Sequence, residues 1–294
     1  MTDLAKMTWP EAQAAFGPRT VAVLPVGSTE PHGPHLPLDT DITIASSMGT
    51  GVAALLQQVG VTALVLPPIP FGLTEYTRGF AGRISLQPGT LWALVEDVIV
   101  ALELQGIEHV LLVNGHLEPA HVDILRGVLL DHAQRGNRKA HAVLVDVTRR
   151  KNAARLGDEF QSGDCHAGRY ETSLVLAADP HSVREAERVR LPAVSIDLIT
   201  KMKEGVKTFQ DAGAEHAYCG DPAAATAAEG RDLVARLASV AFDTAREAWP
   251  HLFEGNAATG TSADSRRTSA KPADAKPADA KLADAKPAGP GSLS

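Results

Sequence analysis

Three short segments of the chain each combine a histidine with a carboxylate. The first segment is GSTEPHGPHLPLDTD, with Glu30, His32, His35, Asp39 and Asp41. The second is NGHLEP, with His116 and Glu118, and the third is GDCHAGRYETS, with His166 and Glu171. Mixed imidazole and carboxylate ligands suit Zn²⁺, Mn²⁺ or Fe²⁺ better than Ca²⁺ or Mg²⁺, and a bridging carboxylate can hold two ions about 3.5–4 Å apart. The segments therefore predict a centre for divalent metal ions.

The spacing within the first segment supports this interpretation. Glu30 and His32 are two residues apart, so on extended backbone both side chains point to the same face. Gly33 and the neighbouring prolines allow the loop to return Asp41 towards them. A single histidine near a carboxylate would more often be an ordinary surface pair. Three such segments, each at a junction between a strand and a loop, favour a metal site.

Four apolar runs must position these segments, and we predict that they are strands. They are TVAVLPVG from Thr20, VTALVLPPIP from Val61, HVLLVNG from His109 and HAVLVDV from His141. Because polar residues do not alternate with apolar ones, the pattern is typical of parallel strands covered on both faces.

Helices are predicted between these strands. One follows Pro88 and ends at Gly106, with Leu91, Val95, Val98, Ile99 and Leu102 on one face. Another is predicted from Pro119 to about Arg135. The alternation of strands and helices predicts a single three-layer α/β/α domain with a mostly parallel sheet. Ligands of such sheets bind at the carboxyl ends of the strands, where the three segments begin.

The composition restricts the partners and the cellular location. The 294 residues are 44% hydrophobic, which is enough for a substantial core. With 28 basic and 35 acidic residues, the formal charge is −7, so we expect no nucleic acid and no anionic membrane as a partner. Two cysteines are too few for a disulfide framework, and no segment resembles a signal peptide or a transmembrane helix. We therefore expect a cytoplasmic protein.

The composition changes abruptly near Ser262. Beyond it the chain is rich in Ala, Lys, Pro, Asp and Ser and contains the near-repeat PADAK, PADAK, LADAK. Such a segment has little apolar surface to offset the entropy of ordering. We predict one domain over residues 1–255 and a disordered tail over residues 256–294. A docking tail for a partner is the alternative.

The motifs resemble those of the creatininase (creatinine amidohydrolase) family, which includes mycofactocin-precursor peptidases and formamide deformylases. The similarity covers most of residues 20–245 through LPVGSTEPHGPHLPLDTD, FAGRISL, VNGHLEP, HAGRYETSLVL and GDPAAATAAEG. It implies a creatininase-like fold in which Asp41 bridges two divalent ions. One ion is further held by Glu30 and His116, and the other by His32 and Glu171. The resemblance also implies a ring-like homo-oligomer, often a hexamer.

Two further residues are left as acid and base candidates by this resemblance. We expect His166 to carry a proton to the departing nitrogen and Glu118 to assist it. Cys165, next to His166, raises the alternative of a thiol nucleophile, although a small packing residue is the more common role.

The sequence departs from the family pattern around the expected substrate pocket. In FGLTEYTRGFAGR, Tyr76 and Thr77 stand where a Glu-His pair is usual, and Arg83 stands at a threonine position. Leu117 replaces an aromatic residue, and residues 148–165 contain no tryptophan. We therefore predict a rebuilt pocket wall and no activity on creatinine. The predicted substrate-binding residues are Thr74, Tyr76, Thr77, Arg83 and Leu117. Arg78 and Arg83 could reach an anionic group of the substrate or form a surface or subunit-interface pair.

These observations predict a binuclear metal-dependent amidohydrolase. Its expected substrate is a small molecule with a cyclic amide or formamide bond, which a hydroxide bridging the two metals would attack. Two alternatives stay open. One is a peptidase that trims a short precursor peptide, although Glu118 replaces the glycine of the peptidase-type NGHGGN. The other is a non-catalytic metal-binding protein.

Overall fold

A four-stranded parallel sheet lies at the centre of residues 2–254, the part of the chain that the computed structural model describes. The strands are β1 (Val21–Val26), β2 (Ala63–Val65), β3 (His109–Asn114) and β4 (His141–Val145), in the order β2-β1-β3-β4. Val21 of β1 is in register with Ala63 of β2 and with His109 of β3. All four predicted strands are present, and β2 is shorter than its apolar run. The predicted tail over residues 256–294 lies outside the described residues.

Helices surround this sheet. They are α1 (Trp9–Ala15), α2 (Thr40–Gln58), α3 (Pro88–Glu103), α4 (Pro119–Gln134), α5 (Arg150–Ala153), α6 (Asp158–Ser162), α7 (Arg169–Ala178), α8 (Glu185–Arg188), α9 (Leu198–Lys203), α10 (Phe209–Ala212) and α11 (Ala227–Ala248). Short 3-10 helices cover Leu4–Lys6, Pro180–Ser182, Pro222–Ala224 and Pro250–Leu252.

The two faces of the sheet are covered by different helices. Successive strand residues point to opposite faces, so each strand contributes to two cores. Val21, Val23 and Leu111 belong to the core that contains α2, α7 and α11. Leu24 and Leu112 belong to the other core, with α3 and α4. This arrangement confirms the predicted three-layer α/β/α fold.

The predicted helical face of α3 is also present. Leu91, Val95, Ile99 and Leu102 are buried, and Val98 is partly buried against the same core. Burial of such a stripe is the main source of stability for a helix of this length.

The connections between the strands create a crevice at one end of the sheet. Helix α2 connects β1 to β2 on one face, and α3 connects β2 to β3 on the other. The loops that leave β1 and β3 therefore diverge, and ligands of open α/β sheets bind at such a point. The first two metal-ligand segments leave the sheet there.

Within residues 2–254, no helix combines the length and the apolar character that a bilayer crossing requires.

The opposite end of the sheet carries a histidine cluster that is remote from this crevice. His109 Nε2 lies 3.2 Å from His251 Nε2, and Trp249 Nε1 donates to His141 Nδ1 over 3.0 Å. Burial, together with the nearby His251, His141 and Arg19, lowers the pKa of His109 to about 4. The cluster thus attaches the segment after α11 to the starts of β3 and β4 while His109 is neutral.

This cluster predicts a loss of stability in mild acid. Between about pH 6.5 and about pH 4, His109 binds a proton in the unfolded chain but not in the folded one, so falling pH favours unfolding. After allowance for solvent screening, we expect about 1 kcal/mol between pH 7 and pH 5, or about 2–4 °C in Tm. The measurement is thermal unfolding of the wild type and His109→Gln at both pH values, with chelator present. An equal pH dependence of the two proteins would contradict the prediction.

Candidate metal centre

Five predicted ligands converge at the crevice beyond β1 and β3. Glu30 and His32 follow β1, Asp41 lies in the first turn of α2, His116 follows β3, and Glu171 lies in the first turn of α7. All five residues are at most 5% exposed. Residues separated by up to about 140 positions in the chain thus form one buried cluster.

The cluster consists of two ligand groups that share Asp41. Glu30, Asp41 and His116 form one group, and His32, Asp41 and Glu171 form the other, with the ligand atoms of each group within 4.8 Å of one another. Asp41 Oδ2 lies 3.0 Å from His116 Nδ1, and Asp41 Oδ1 lies 3.2 Å from His32 Nε2. Each oxygen of the aspartate therefore faces a different histidine. This is the geometry that a bridging carboxylate requires.

Backbone carbonyls orient both histidines. His116 Nε2 donates to Leu73 O over 2.6 Å, and His32 Nδ1 donates to Glu30 O over 3.1 Å. The nitrogens that face Asp41, His116 Nδ1 and His32 Nε2, are then free to present lone pairs to a cation. An outer hydrogen bond of this kind fixes the tautomer of metal-binding histidines.

Two buried atoms of the cluster lack a hydrogen-bond partner. Within residues 2–254, His32 Nε2 and Asp41 Oδ2 are shielded from solvent and make no hydrogen bond. A buried polar atom without a partner is costly to the fold. A divalent cation would satisfy both atoms, so this donor set fits Zn²⁺, Mn²⁺ or Fe²⁺.

Two glycines allow Asp41 to reach this position. A Cβ atom at Gly115 would lie 2.2 Å from Asp41 O, and one at Gly27 would lie 2.7 Å from Ile42 N. Both glycines stand directly after strands, in the motifs VGS and NGH. They let the first turn of α2 enter between the ends of β1 and β3, which any larger residue would prevent.

Two residues of the segment 74–83 contact Glu30, one of the candidate metal ligands. Thr74 Oγ1 donates a hydrogen bond to Glu30 Oε2, and Thr77 Oγ1 lies 3.4 Å from the same oxygen. Arg83 donates to Thr74 O over 2.9 Å and to Glu75 Oε1 over 2.7 Å. The prediction placed Thr74, Thr77 and Arg83 in contact with substrate. These three residues are not among those that line the cavity, and they make hydrogen bonds to protein groups, so their contact with substrate stays a prediction.

A cavity of about 710 Å³ opens above the cluster. Tyr76 and Leu117, also predicted to bind substrate, line it together with Glu118 and His166. Glu118 Oε2 accepts a hydrogen bond from Tyr76 N over 3.1 Å. Burial raises the pKa of Glu118, although the nearby His116 opposes this effect. Both acid and base candidates are thus next to the metal ligands.

His166 is held at a defined angle in this wall. Its ring stacks on Phe209 with a centroid distance of 4.1 Å and lies 4.5 Å from the ring of His32. His166 Nε2 donates to Pro31 O over 3.1 Å, which leaves Nδ1 for the cavity. One atom of His166 also falls within 4.8 Å of ligand atoms of Glu30 and His32, so its position suits proton transfer and metal contact alike.

Other candidates from the three segments have different roles. Cys165 lines the cavity, but burial and the nearby Glu171 raise the pKa of its thiol well above the usual value, which disfavours a thiolate nucleophile. His35 Nε2 bonds with Thr172 Oγ1 over 2.8 Å, and Asp39 is the exposed N-cap of α2.

Two residues that the sequence analysis did not single out support His116. His121 Nδ1 accepts from Leu73 N over 3.3 Å, so His121 positions the peptide whose carbonyl receives His116 Nε2. Asn114 Oδ1 accepts from His116 N and lies 3.2 Å from His121 Nε2. The available signal was the motif NGHLEPAH, in which His121 falls on the first turn of α4.

Comparison with known proteins agrees with this geometry. The family model described as "Creatininase: Creatinine amidohydrolase" matches residues 5–244. The chain belongs to the creatininase family. It is therefore a hydrolase of that family, and the resemblance inferred from the motifs is confirmed.

The chain is similar to relatives of two kinds, a precursor peptide peptidase and a creatinine amidohydrolase. The chain is 32% identical over 228 residues to a mycofactocin precursor peptide peptidase of Mycolicibacterium smegmatis, covering 76% of this chain and 83% of the relative. It is 30% identical over 197 residues to a creatinine amidohydrolase of Pseudomonas putida, covering 61% and 73%.

Solved structures show the same fold. A structure titled "Creatininase Mn" matches with a TM-score of 0.65 and 23% identity, over 85% of this chain and 99% of that chain. A variant creatininase described as Zn-Zn type matches with a TM-score of 0.63.

Without cations, the cluster must hold protons instead. Burial lowers the pKa of His32, but Asp41, Glu171 and Glu30 outweigh it and raise that pKa to about 10. Burial raises the pKa of Glu171 to about 8, although His32 opposes it. At neutral pH both groups are therefore protonated in the metal-free protein.

Metal binding should release these protons. Titration of Zn²⁺ into chelator-treated protein at about pH 7 is expected to release more than one proton per chain, and the apparent affinity should rise from about pH 6 to about pH 8. The measurement is the dependence of the calorimetric enthalpy on the ionisation enthalpy of the buffer. Binding without proton release would contradict this prediction.

His121 should influence metal affinity without contacting the metal. His121→Ala removes the acceptor for Leu73 N, so the carbonyl that orients His116 becomes less well positioned. We expect metal affinity to fall about 10–100-fold, as measured by competition with a chelating dye. His109→Gln, a change of a buried histidine at the far end of the sheet, is the matched control. Unchanged affinity in a folded His121→Ala protein would exclude this role.

Proposed function

We propose that this chain is a binuclear metal-dependent amidohydrolase that cleaves a peptide-type amide bond. The observation that carries the proposal is Asp41, which is shared between two ligand groups at the floor of a cavity. Membership of the creatininase family supports hydrolysis of a C–N bond, and the buried donor atoms without partners support bound cations.

The residues at the floor of the cavity would have different roles in the reaction. Two divalent ions, when bound, polarise an amide carbonyl and lower the pKa of water. Asp41 would be shared between the two ions, while Glu30 and His116 would hold one of them and His32 and Glu171 the other. Hydrolysis also needs a proton on the departing nitrogen.

His166 is our candidate for this proton transfer. Pro31 O holds its Nε2, so Nδ1 is the atom that can accept and deliver a proton in the cavity. Glu118, anchored by Tyr76 N, is placed to assist. A chain with only a metal-binding role would have no use for an acid and a base in the cavity wall, which disfavours the non-catalytic alternative.

The cavity favours a substrate larger than a single ring. Its volume of about 710 Å³ is in the range of sites for drug-sized ligands. Phe160, Leu198, Met202 and Phe209 make much of its wall apolar. A short peptide segment with apolar side chains suits this space, and the peptidase of Mycolicibacterium smegmatis is among the more similar relatives.

A small cyclic amide or formamide is the second candidate. It is the substrate class predicted first from the sequence, and the similarity to a creatinine amidohydrolase supports it. Glu118 adds to this support because the peptidase-type motif has glycine at that position. The choice of Zn, Mn or Fe, the homo-oligomer and the cytoplasmic location stay predictions.

Loss of Asp41 should abolish both metal binding and hydrolysis. Asp41→Asn removes the charge that both ligand groups share, so we expect fewer than about one bound ion per chain and at least about 10³-fold slower turnover. Metal content is measured by elemental analysis, and turnover with a panel of apolar peptides, lactams and formamides. Asp39→Asn, an exposed carboxylate on the same loop, is the control. If the wild type binds two ions but hydrolyses no substrate of the panel, the proposed function is contradicted.

His166 should be needed for turnover but not for the fold. We expect His166→Ala to lower kcat about 10²–10⁴-fold because the departing nitrogen loses its proton donor. The bound metal is counted in the same sample. Full turnover with metals bound would remove His166 from the mechanism.

A further inference from the structure

Two basic side chains in the cavity wall form no ion pair within residues 2–254. One of them, Lys203, adds to the hydrogen bonds from Thr200 that lower the pKa of the exposed Asp197, which lies beyond ion-pair distance. Arg150, in α5, and Lys203, in α9, both line the cavity and are exposed. Within residues 2–254, neither side chain makes a hydrogen bond or an ion pair. They contrast with the floor of the same cavity, where carboxylates face imidazoles.

The neighbours of these two residues are paired elsewhere. Arg149 Nε lies 3.3 Å from Asp146 Oδ2, and Lys151 Nζ lies 2.8 Å from Glu247 Oε2. Of three consecutive basic residues, only the middle one lines the cavity. On α9, Lys201 Nζ lies 3.9 Å from Glu204 Oε2, whereas Lys203 lines the cavity.

The cations that the sequence suggested for anion binding are already engaged. Arg83 Nη1 lies 2.7 Å from Glu75 Oε1, and Arg78 pairs with the other oxygen of the same carboxylate. Neither arginine is among the residues that line the cavity. Among the described residues, Arg150 and Lys203 are therefore the arginine and lysine side chains that a ligand in this cavity would meet.

A ligand that fills the cavity also changes the surroundings of these cations. It removes water from them, and a charge that loses water without gaining a partner weakens binding. A substrate with an anionic group would provide that partner. Among amide substrates built from amino acids, the ordinary anion is a carboxylate, which guanidinium and ammonium groups bind through charge-assisted hydrogen bonds.

We propose that the substrate carries a free carboxylate that Arg150 and Lys203 bind, while its apolar part lies against Phe160, Leu198 and Met202. This inference rests on the proposed function and narrows its substrate class. Two sources share this chemistry. One is the C-terminus of an apolar peptide, and the other is the carboxylate of an N-acylated amino acid.

Binding with chemistry blocked tests the carboxylate site directly. The metal-loaded full chain carrying His166→Ala is titrated by calorimetry with a short apolar peptide acid and with the same peptide as its C-terminal amide. We expect the acid to bind about tenfold more tightly. Arg150→Gln and Lys203→Gln should each reduce this ratio several-fold, and the double variant should reduce it to about one. Lys151→Gln and Lys201→Gln, which remove neighbouring charges outside the cavity, should leave it unchanged.

Turnover of matched substrate pairs separates the two sources. The kcat/KM of the wild-type enzyme is measured for two pairs of substrates. One pair is the peptide acid and its amide, and the other is N-formyl-leucine and its amide. The pair with the larger acid preference identifies the source, and the preference should appear mainly in KM and decrease with salt.

The outcomes separate the inference from the proposed function. Equal binding of acid and amide, or a preference that persists in the double variant, would overturn the carboxylate site, because the carboxylate would then bind elsewhere, including to the metals. Absence of turnover on every substrate, with the binding preference intact, would support the site and contradict the amidohydrolase proposal.

Discussion

The burial of three carboxylates around one point is the constraint on which the rest of this structure depends. Glu30, Asp41 and Glu171 are each at most 5% exposed, and an oxygen of each lies within 3.9 Å of His32 Nε2. Like charges in such a place repel strongly, so positive charge must accompany them. Protons on the histidines and on Glu171 supply it in the metal-free chain. Divalent cations supply it better, because they also satisfy the buried atoms that have no hydrogen-bond partner.

The fold meets this constraint through the ends of its elements. Asp41 and Glu171 both lie in the first turn of a helix, where the partial positive charge of the N-terminus favours a carboxylate. The remaining ligands follow neighbouring strands, and Gly27 and Gly115 allow the start of α2 to enter between them. The crevice between β1 and β3 is therefore formed by backbone, before any ligand side chain is considered.

Not every family motif serves the chemistry directly. Glu159 accepts from Tyr170 N over 2.5 Å and from Asp221 N over 2.7 Å, so one carboxylate joins the segments HAGRYETS and GDPAAATAAEG. Cys219 N donates to His166 O over 2.8 Å. These bonds hold the start of α7, and with it His166 and Glu171, against the sheet. Residues of α5, α6 and α9, which lie outside the quoted motifs, line another part of the cavity.

The sequence by itself determined the layers and the strands, because strand burial and helical periodicity are properties of short segments. Residue spacing also indicated three candidate ligand segments, and the family resemblance implied which five of their residues would bind metal. The sequence also located the region around residues 74–83, but not its role. In that region Arg78 and Arg83 both pair with Glu75, and Arg83 also donates to the backbone carbonyl of Thr74. Only tertiary structure decided that His121 supports His116 through Leu73, 48 positions away from His121. It also decided that Arg150 and Lys203 line a cavity and form no ion pair with any residue in the described part of the chain. Local patterns indicate which residues are charged, but only the packing of distant segments decides which charges remain without a partner.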